Sequence, residues 1–186
     1  MTIRYGFLST HPPTRCGLAT FNSALAAHLG EAGTVGGIVR VAAMGDDQRP
    51  MPGVVHTWAA TTPAGWRDSA EMLNTFDVAI VQHEYGIYPG RDGGEVLSLL
   101  RRLSVPSIVV LHTVLARPSS RQKVLLEQIV AAAGAVVTIT AAAHDRLLLG
   151  YAVDAAKITV IPHGASDFTG VPTSPHPQPH LLTWGL

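Results

Sequence analysis

Five short stretches of the sequence contain residue types that bind or transform ligands, and each follows an apolar run. In chain order they read STHPPTRCG, QHEYGIYPGRDGG, LHTV, TIT and IPHG, and four of the five contain histidine. An imidazole can donate, accept or exchange a proton near neutral pH, and glycine allows the backbone to approach a ligand closely. The pattern indicates a ligand-binding site assembled from several loops.

The first stretch is a loop, STHPPTRCGLATF, that joins an apolar run to a run with helical periodicity. We expect Gly17 to let the backbone approach a ligand, with the positive end of the following helix facing an anion or sugar hydroxyls. The alternative is that the prolines and Gly17 only shape a tight connection. Cys16 is interpreted as a small packing residue rather than a nucleophile, because no partner that stabilises a thiolate is evident.

His112 is the most informative single residue, because it ends the otherwise apolar run SIVVLH. A polar side chain there must be solvated, paired or in use, and we favour use over a structural role. His83 and Glu84 are adjacent, so on an extended chain they point in opposite directions. Asp92 precedes an amphipathic run, which leaves a helix cap and a ligand contact as alternatives.

A metal site is not predicted. His83, His112 and His163 follow separate apolar runs, and the sequence has no H-E-x-x-H motif and no paired Cys and His ligands. His176 and His180 are separated by prolines, which prevents them from sharing one helical face.

The elements that position these residues alternate along the chain. Continuous β-branched runs separated by amphipathic segments predict an α/β fold, a doubly wound parallel sheet of the Rossmann-like type. In the first helix Phe21, Leu25 and Leu29 predict one buried stripe, and Gly30 or Gly33 is expected to end the helix. The predicted strands are IRYGFLS, GGIVRVAAMG, GVVHTWA, DVAIVQHEY, PSIVVLHTV, AVVTIT and KITVIPHG.

Composition narrows the function classes. The 186 residues are 47% apolar, which suits one domain with additions. Thirteen basic residues balance thirteen acidic ones, which argues against a nucleic-acid or anionic-membrane partner. A single cysteine excludes an internal disulfide and favours the cytoplasm, and the N-terminus lacks a signal-peptide pattern.

The tail departs from the alternating order. Residues 170–180 contain four prolines and predict an interdomain linker, and residues 181–186, LLTWGL, predict the first strand of a second domain. We therefore expect residues 1–169 to form one domain of a longer protein. An exposed interdomain face or the terminal strand is expected to permit self-association.

Four ordered motifs carry a resemblance. STHPPTRCGLATF, VQHEYGIYPGRDGGEV, VVLHTV and VIPHGASD together resemble the N-terminal half of a bacterial family-4 glycosyltransferase of the GT-B fold, in the subgroup whose first loop reads roughly P-P-x-x-C-G-[IL]-A-T-F. The likeness extends through Asp167. LLTWGL resembles the strand that opens the second domain of the same family.

The resemblance implies roles for individual residues. In such enzymes two Rossmann-like domains enclose a cleft, with the acceptor mainly on the N-terminal side. The implied donor-phosphate loop is Thr14, Arg15, Cys16 and Gly17, and the implied catalytic residue near the transferred sugar is His112. The implied acceptor- or sugar-binding residues are His83, Glu84, Tyr85, Asp92, Gly93, Thr113 and His163.

The implied reaction transfers a hexose from a nucleotide sugar to a hydroxyl of a glycan, lipid or small molecule, with retention and without an obligatory metal or other cofactor. The family's E-x7-E motif and its basic residues for the departing diphosphate lie in the C-terminal domain, so we expect this chain alone to be inactive. The alternatives are a non-catalytic α/β module that binds a ligand or partner, and half of a nucleotide-sugar epimerase.

Overall fold

The described part of the chain folds into one parallel sheet flanked by helices. The computed structural model describes residues 2–31, 36–46 and 49–165. The sheet has the order β3-β2-β1-β4-β5-β6-β7, and all its pairings are parallel. The prediction of a doubly wound α/β fold is confirmed, as are all seven predicted strands. Their bounds are Tyr5–Ser9, Gly37–Ala42, Val54–Ala59, Val78–His83, Ser107–Leu111, Ala135–Thr138 and Ile158–Val160.

In the described residues, five α-helices alternate with most of the strands, and local sequence signals account for where two of them begin. Ser119 caps α4 in a reciprocal capping box with Gln122, and the Thr140 hydroxyl caps α5. Short 3₁₀ helices cover Arg91–Gly93 and Ala155–Lys157. The α-helices, α1 to α5, span Gly17–Glu31, Trp66–Leu73, Glu95–Leu100, Ser120–Ala132 and Ala141–Gly150.

The two faces of the sheet are covered unequally. A large core on one face is formed with α2, α3, α4 and α5, and it includes the fully buried side chains of Leu8, Val81 and Leu126. The smaller core on the other face consists of Phe7, Ile38, Ile80 and Val110. Among the helices of the described chain, only α1 packs against this smaller core.

The thin cover on the α1 face changes one prediction. Leu25 and Leu29 pack against the small core as expected, but they and Phe21 are half-buried rather than buried. The fully covered side chains of α1 are Ala19 and Asn22. The helix continues through Gly30 to Glu31, and Gly33 lies outside the described residues. The predicted linker at 170–180 and strand at 181–186 also lie outside them.

Helix α5 allows a matched test of the large core. Leu147 is fully buried, whereas Leu149, two residues later, is 89% exposed. We expect Leu147→Ala to lower the free energy of unfolding by about 2–5 kcal/mol, because it leaves a cavity. Leu149→Ala should change it by less than about 0.5 kcal/mol. Urea unfolding of both variants measures the difference, and equal losses would show that α5 does not pack as described.

Candidate functional site

The candidate site lies at the sheet edge where the carboxyl ends of the strands meet. The strand after β1 in the chain, β2, pairs on one side of it, and β4 pairs on the other, so the strand order reverses between β1 and β4. In open parallel sheets, ligands bind outside the carboxyl ends at such a reversal. The loop after β1 and the residues that end β4 border this position.

Phe21 of α1 connects three of the predicted stretches. Its ring lies edge-on to the His112 ring, with centroids 4.9 Å apart, and 5.1 Å from the His163 ring. Gly17 precedes Phe21 by four residues, which is about one helical turn, or roughly 6 Å along the axis. The start of α1, the end of β5 and the segment after β7 therefore meet at one place.

His112 is held in this cluster as a neutral imidazole. Its Nε2 lies 2.8 Å from the side-chain oxygen of Gln82. Burial lowers its pKa, the nearby Glu84 carboxylate opposes that effect, and His163 lowers the pKa further. The net shift is downward, so at neutral pH the ring carries no charge and acts through hydrogen bonds.

Glu84 is fixed beside His112 by two hydrogen bonds. One carboxylate oxygen accepts from the Thr113 hydroxyl, and the other accepts from the Tyr85 amide at 2.9 Å. Two donors on one carboxylate restrict its rotation. The cluster therefore contains a positioned negative charge next to a neutral histidine.

His83 points away from this cluster, as expected for the neighbour of Glu84 on an extended chain. Only 1% of it is exposed, its ring lies 5.2 Å from the Tyr85 ring, and its Nδ1 has no hydrogen-bond partner among the described residues. Burial, reinforced by His112, lowers its pKa to about 4. Burial also raises the pKa of Tyr85, with Tyr151 and Glu84 adding to the shift.

The first loop is anchored to the neighbouring strand by a buried ionic network. Thr14 donates from its hydroxyl to Asp46 at 2.9 Å and accepts from the Arg40 guanidinium at 2.9 Å. Arg40, which is 1% exposed, also contacts Asp46 at 3.3 Å. A buried guanidinium with these partners fixes the loop position, since moving the loop would break charge-assisted bonds.

Cys16 is the N-cap residue of α1. Its sulfur accepts from the Ala19 amide at 3.4 Å and lies 3.1 Å from the Thr10 hydroxyl, so it caps the helix in addition to packing. Arg15 and Gly17 are exposed beside it. A Cβ on Gly17 would meet nothing within 4 Å, so the fold itself does not require glycine there.

Asp92 and Gly93 form a separate, structurally constrained part of the edge. Asp92 does not cap α3, whose N-cap is Gly94, so the cap interpretation is wrong. Its carboxylate instead lies 3.3 Å from Arg121 Nε and accepts from Gln122 at 3.3 Å. Gly93 has φ +72°, and a Cβ there would lie 2.7 Å from the Tyr85 carbonyl oxygen, so glycine is required by close packing.

A groove of about 460 Å³ lies beside the first loop and does not include the His112 cluster. Its lining is mostly apolar, with one imidazole and one guanidinium. The lining residues are His11, Pro12, Pro13, Arg49, Pro50, Met51 and Pro52.

Within the described ranges, no three His, Cys, Asp or Glu side chains are placed to hold a metal ion. In the same residues, no helix is both long and apolar enough to span a bilayer.

Comparison with known families decides the relationship. The model of Glycosyltransferase Family 4 matches residues 17–167, which is most of the chain. The chain belongs to Glycosyltransferase Family 4. The match begins at Gly17, at the start of α1, and includes His112, His163 and the β4 residues. The resemblance to the N-terminal half of a family-4 glycosyltransferase of the GT-B fold is therefore confirmed.

Solved structures share its fold at low sequence identity. An alpha-glucosyltransferase in complex with UDP and a 13-mer DNA containing a HMU base superposes with a TM-score of 0.62 at 13% identity, over 89% of this chain and 43% of that one. An alpha-glucosyltransferase with UDP-glucose and DNA containing an abasic site gives 0.54 at 14% identity, over 75% and 36%. A glycosyltransferase from Rickettsia africae ESF-5 gives 0.57 at 14% identity, over 87% and 43%.

These three similarities show the fold. The family-4 chain spans less than half the length of each of these three structures. No curated protein matches the sequence.

Several residues of the cluster were not predicted from the sequence. Gln82 and Arg40 each interrupt an apolar strand run, IVQHEY and GIVRVA, and that interruption was the available signal. The sequence indicates Phe21 only as part of a helix stripe. Asp46 follows a turn, and no sequence pattern marks it as a partner of the first loop. Contacts with residues that are distant in the sequence determine the positions of these side chains.

The depressed pKa of His83 predicts a pH-dependent stability. The unfolded chain binds a proton near the ordinary pKa of 6.5, whereas folded His83 does so only near 4. The free energy of unfolding should therefore fall as pH drops from 6.5 towards 4, by roughly 2–3 kcal/mol at pH 4.5 from this residue. Urea unfolding at pH 7 and pH 4.5 measures the loss, and His83→Gln should reduce it. An equal pH dependence in both proteins would contradict the buried neutral histidine.

Proposed function

We propose that this chain is the acceptor-side, N-terminal domain of a bacterial GT-B enzyme that transfers a hexose, with retention, from a nucleotide sugar to an acceptor hydroxyl. The observation that carries the proposal is the meeting of the open N-terminus of α1 with the neutral His112 at the β1–β4 reversal. Phe21, whose ring contacts His112, thereby lies one helical turn from the proposed anion site. Family membership supports the same reaction class.

The start of α1 is the proposed donor-phosphate contact. The first amides of a helix lack intrahelical acceptors and lie at its positive end, which suits a diphosphate. Gly17 leaves this end open, and exposed Arg15 adds a positive charge next to it. Structural relatives that hold UDP or UDP-glucose support a nucleotide-sugar donor.

The His112 cluster is the proposed sugar contact. A neutral imidazole against Phe21 offers a hydrogen bond beside an aromatic ring, which is suited to a hexose with polar edges and an apolar face. Exposed His163 borders the same ring. Glu84, Tyr85 and Thr113 continue the edge on the β4 and β5 side, where we place the acceptor.

Buried His83 and constrained Gly93 support this side from below rather than presenting polar groups to solvent. Asp92, with 22% of its side chain exposed, is already held by Arg121 and Gln122. We propose that these three residues shape the acceptor side mainly through the backbone and through fixed charge.

In the proposed reaction, the acceptor oxygen bonds to the anomeric carbon as the bond from that carbon to the diphosphate breaks, and the proton of the acceptor hydroxyl passes to the departing phosphate oxygen. The transition state gathers positive charge on the sugar and negative charge on the leaving group. The helix end stabilises the leaving diphosphate, while His112 and Phe21 hold the sugar. We propose that no metal is obligatory and that a second, C-terminal domain supplies the remaining positive charge. On this proposal, the present chain is inactive by itself. We place the enzyme in the cytoplasm.

Gly17→Val tests the donor contact. A valine there meets no neighbour, so the free energy of unfolding should change by less than about 0.5 kcal/mol. Its side chain would displace the diphosphate from the helix end, so transfer by the two-domain protein should fall roughly 100-fold or more. A screen of nucleotide sugars that follows transfer and hydrolysis measures this, with the 186-residue chain assayed in parallel.

The matched control is Gly30→Val, because Gly30 lies near the other end of α1 and also has open space around it. It should leave transfer unchanged. Normal transfer by Gly17→Val, or equal losses in the two variants, would contradict a donor contact at the start of α1. Product formation without any acceptor would favour an epimerase.

The acceptor is proposed to be a glycan, lipid or small molecule rather than a nucleic acid. Two structural relatives hold DNA, but the present chain has balanced charge, with thirteen basic and thirteen acidic residues. Nucleic-acid binding depends on neutralising phosphates with clustered cations. Fluorescence anisotropy with a labelled short duplex at physiological salt should therefore show no binding tighter than about 100 μM. Saturable micromolar binding that weakens with added salt would contradict this choice of acceptor.

A further inference from the structure

Gln82 is an amide buried in a strand that is otherwise apolar. It is fully buried on β4, where it directly follows Val81. Ser9, which follows Leu8, the partner of Val81, at the end of β1, is also fully buried. Burial of an amide is costly unless it forms hydrogen bonds. Within the described chain its side chain makes one, in which Oε1 accepts from His112 Nε2 at 2.8 Å, and its own Nε2 makes none. The position of Gln82 is therefore explained by His112 rather than by packing.

This contact determines which nitrogen of His112 carries the proton. An amide oxygen can only accept, so a hydrogen bond to it requires a proton on Nε2. A neutral imidazole has one ring proton, so Nδ1 must then be an acceptor. No described residue forms a hydrogen bond with Nδ1, which leaves that acceptor open to a ligand.

We propose that Gln82 is a positioning residue that holds His112 in the Nε2-protonated tautomer and makes Nδ1 a hydrogen-bond acceptor for a hydroxyl of the bound sugar. The ligand part rests on the proposed function, because that function places a sugar at this edge. Gln82 contacts no ligand itself, being fully buried, and acts through His112.

An acceptor at His112 Nδ1 restricts the class of sugar that can bind beside it. An acceptor nitrogen binds a hydroxyl, which can donate, and opposes a carboxylate, which cannot. The fixed Glu84 carboxylate adds repulsion towards a second negative charge. The position beside His112 therefore suits the hydroxyl of a neutral hexose and disfavours a hexuronic acid.

The tautomer can be measured directly in this chain without any ligand. We would record long-range ¹H–¹⁵N correlation spectra at pH 8, above the lowered pKa values of His112 and His83. Signals are assigned by their loss in His112→Asn. We expect a pyrrole-type Nε2 and a pyridine-type Nδ1. Exposed His28, which lies 3.8 Å from the exposed Glu31 carboxylate, serves as an internal reference for a solvent-exposed ring.

Two substitutions at Gln82 separate positioning from packing. Gln82→Glu keeps an acceptor oxygen, so Nε2 should stay protonated, with the pKa of His112 raised by the new charge. Gln82→Met keeps the length but removes the acceptor, so His112 should become a mixture of both tautomers, like His28. The backbone amide spectrum reports whether each variant is folded.

A protonated Nδ1 in the unsubstituted chain would overturn the inference, because it would mean that the amide group faces His112 with its NH₂. An unchanged tautomer in folded Gln82→Met would also overturn it. If Gln82→Met does not fold, the unsubstituted chain and Gln82→Glu still decide the outcome. Because no sugar is present, failure of the glycosyl transfer assay leaves this result unaffected, and the two failures are distinguishable.

Discussion

The parallel pairing of β1 with β4 is the constraint on which the site depends. Phe7 lies opposite Ile80 in that pairing and opposite Ile38 in the pairing with β2, so the end of β1 is fixed from both sides. The loop that leaves β1 must therefore start beside Gln82. Helix α1 then returns over the same face and brings Phe21 to His112. Without this register, the open helix end and the histidine would not share one edge.

The two faces of the sheet divide stability from function. The large core with α2 to α5 buries apolar side chains almost completely, as Leu126 and Leu147 show. The α1 face has a small core, and it also buries polar groups, including Asn22 and Ser9, that lack partners among the described residues. Unpaired polar groups reduce stability, and proteins concentrate such costs at functional sites. The face that contributes less to packing is the face that carries the candidate site.

The sequence predicted the strands and the edge, because continuous apolar runs and their ends are local patterns. It placed His112 at a strand end and His83 opposite Glu84 in direction, and both positions agree with the structure. It could not predict that Gln82 meets His112, since that contact spans thirty residues and depends on β4–β5 register. The link from Arg40 through Asp46 to the first loop is non-local for the same reason.

The central proposal is that one edge of this domain binds both the diphosphate and the sugar of a nucleotide sugar. The most direct measurement is a crystal structure of the two-domain protein with a non-hydrolysable nucleotide-sugar analogue. The account predicts the diphosphate within hydrogen-bond distance of the first amides of α1, and a sugar hydroxyl within hydrogen-bond distance of His112 Nδ1. A donor bound with neither contact would contradict the account, even if the protein proved to be an active glycosyltransferase.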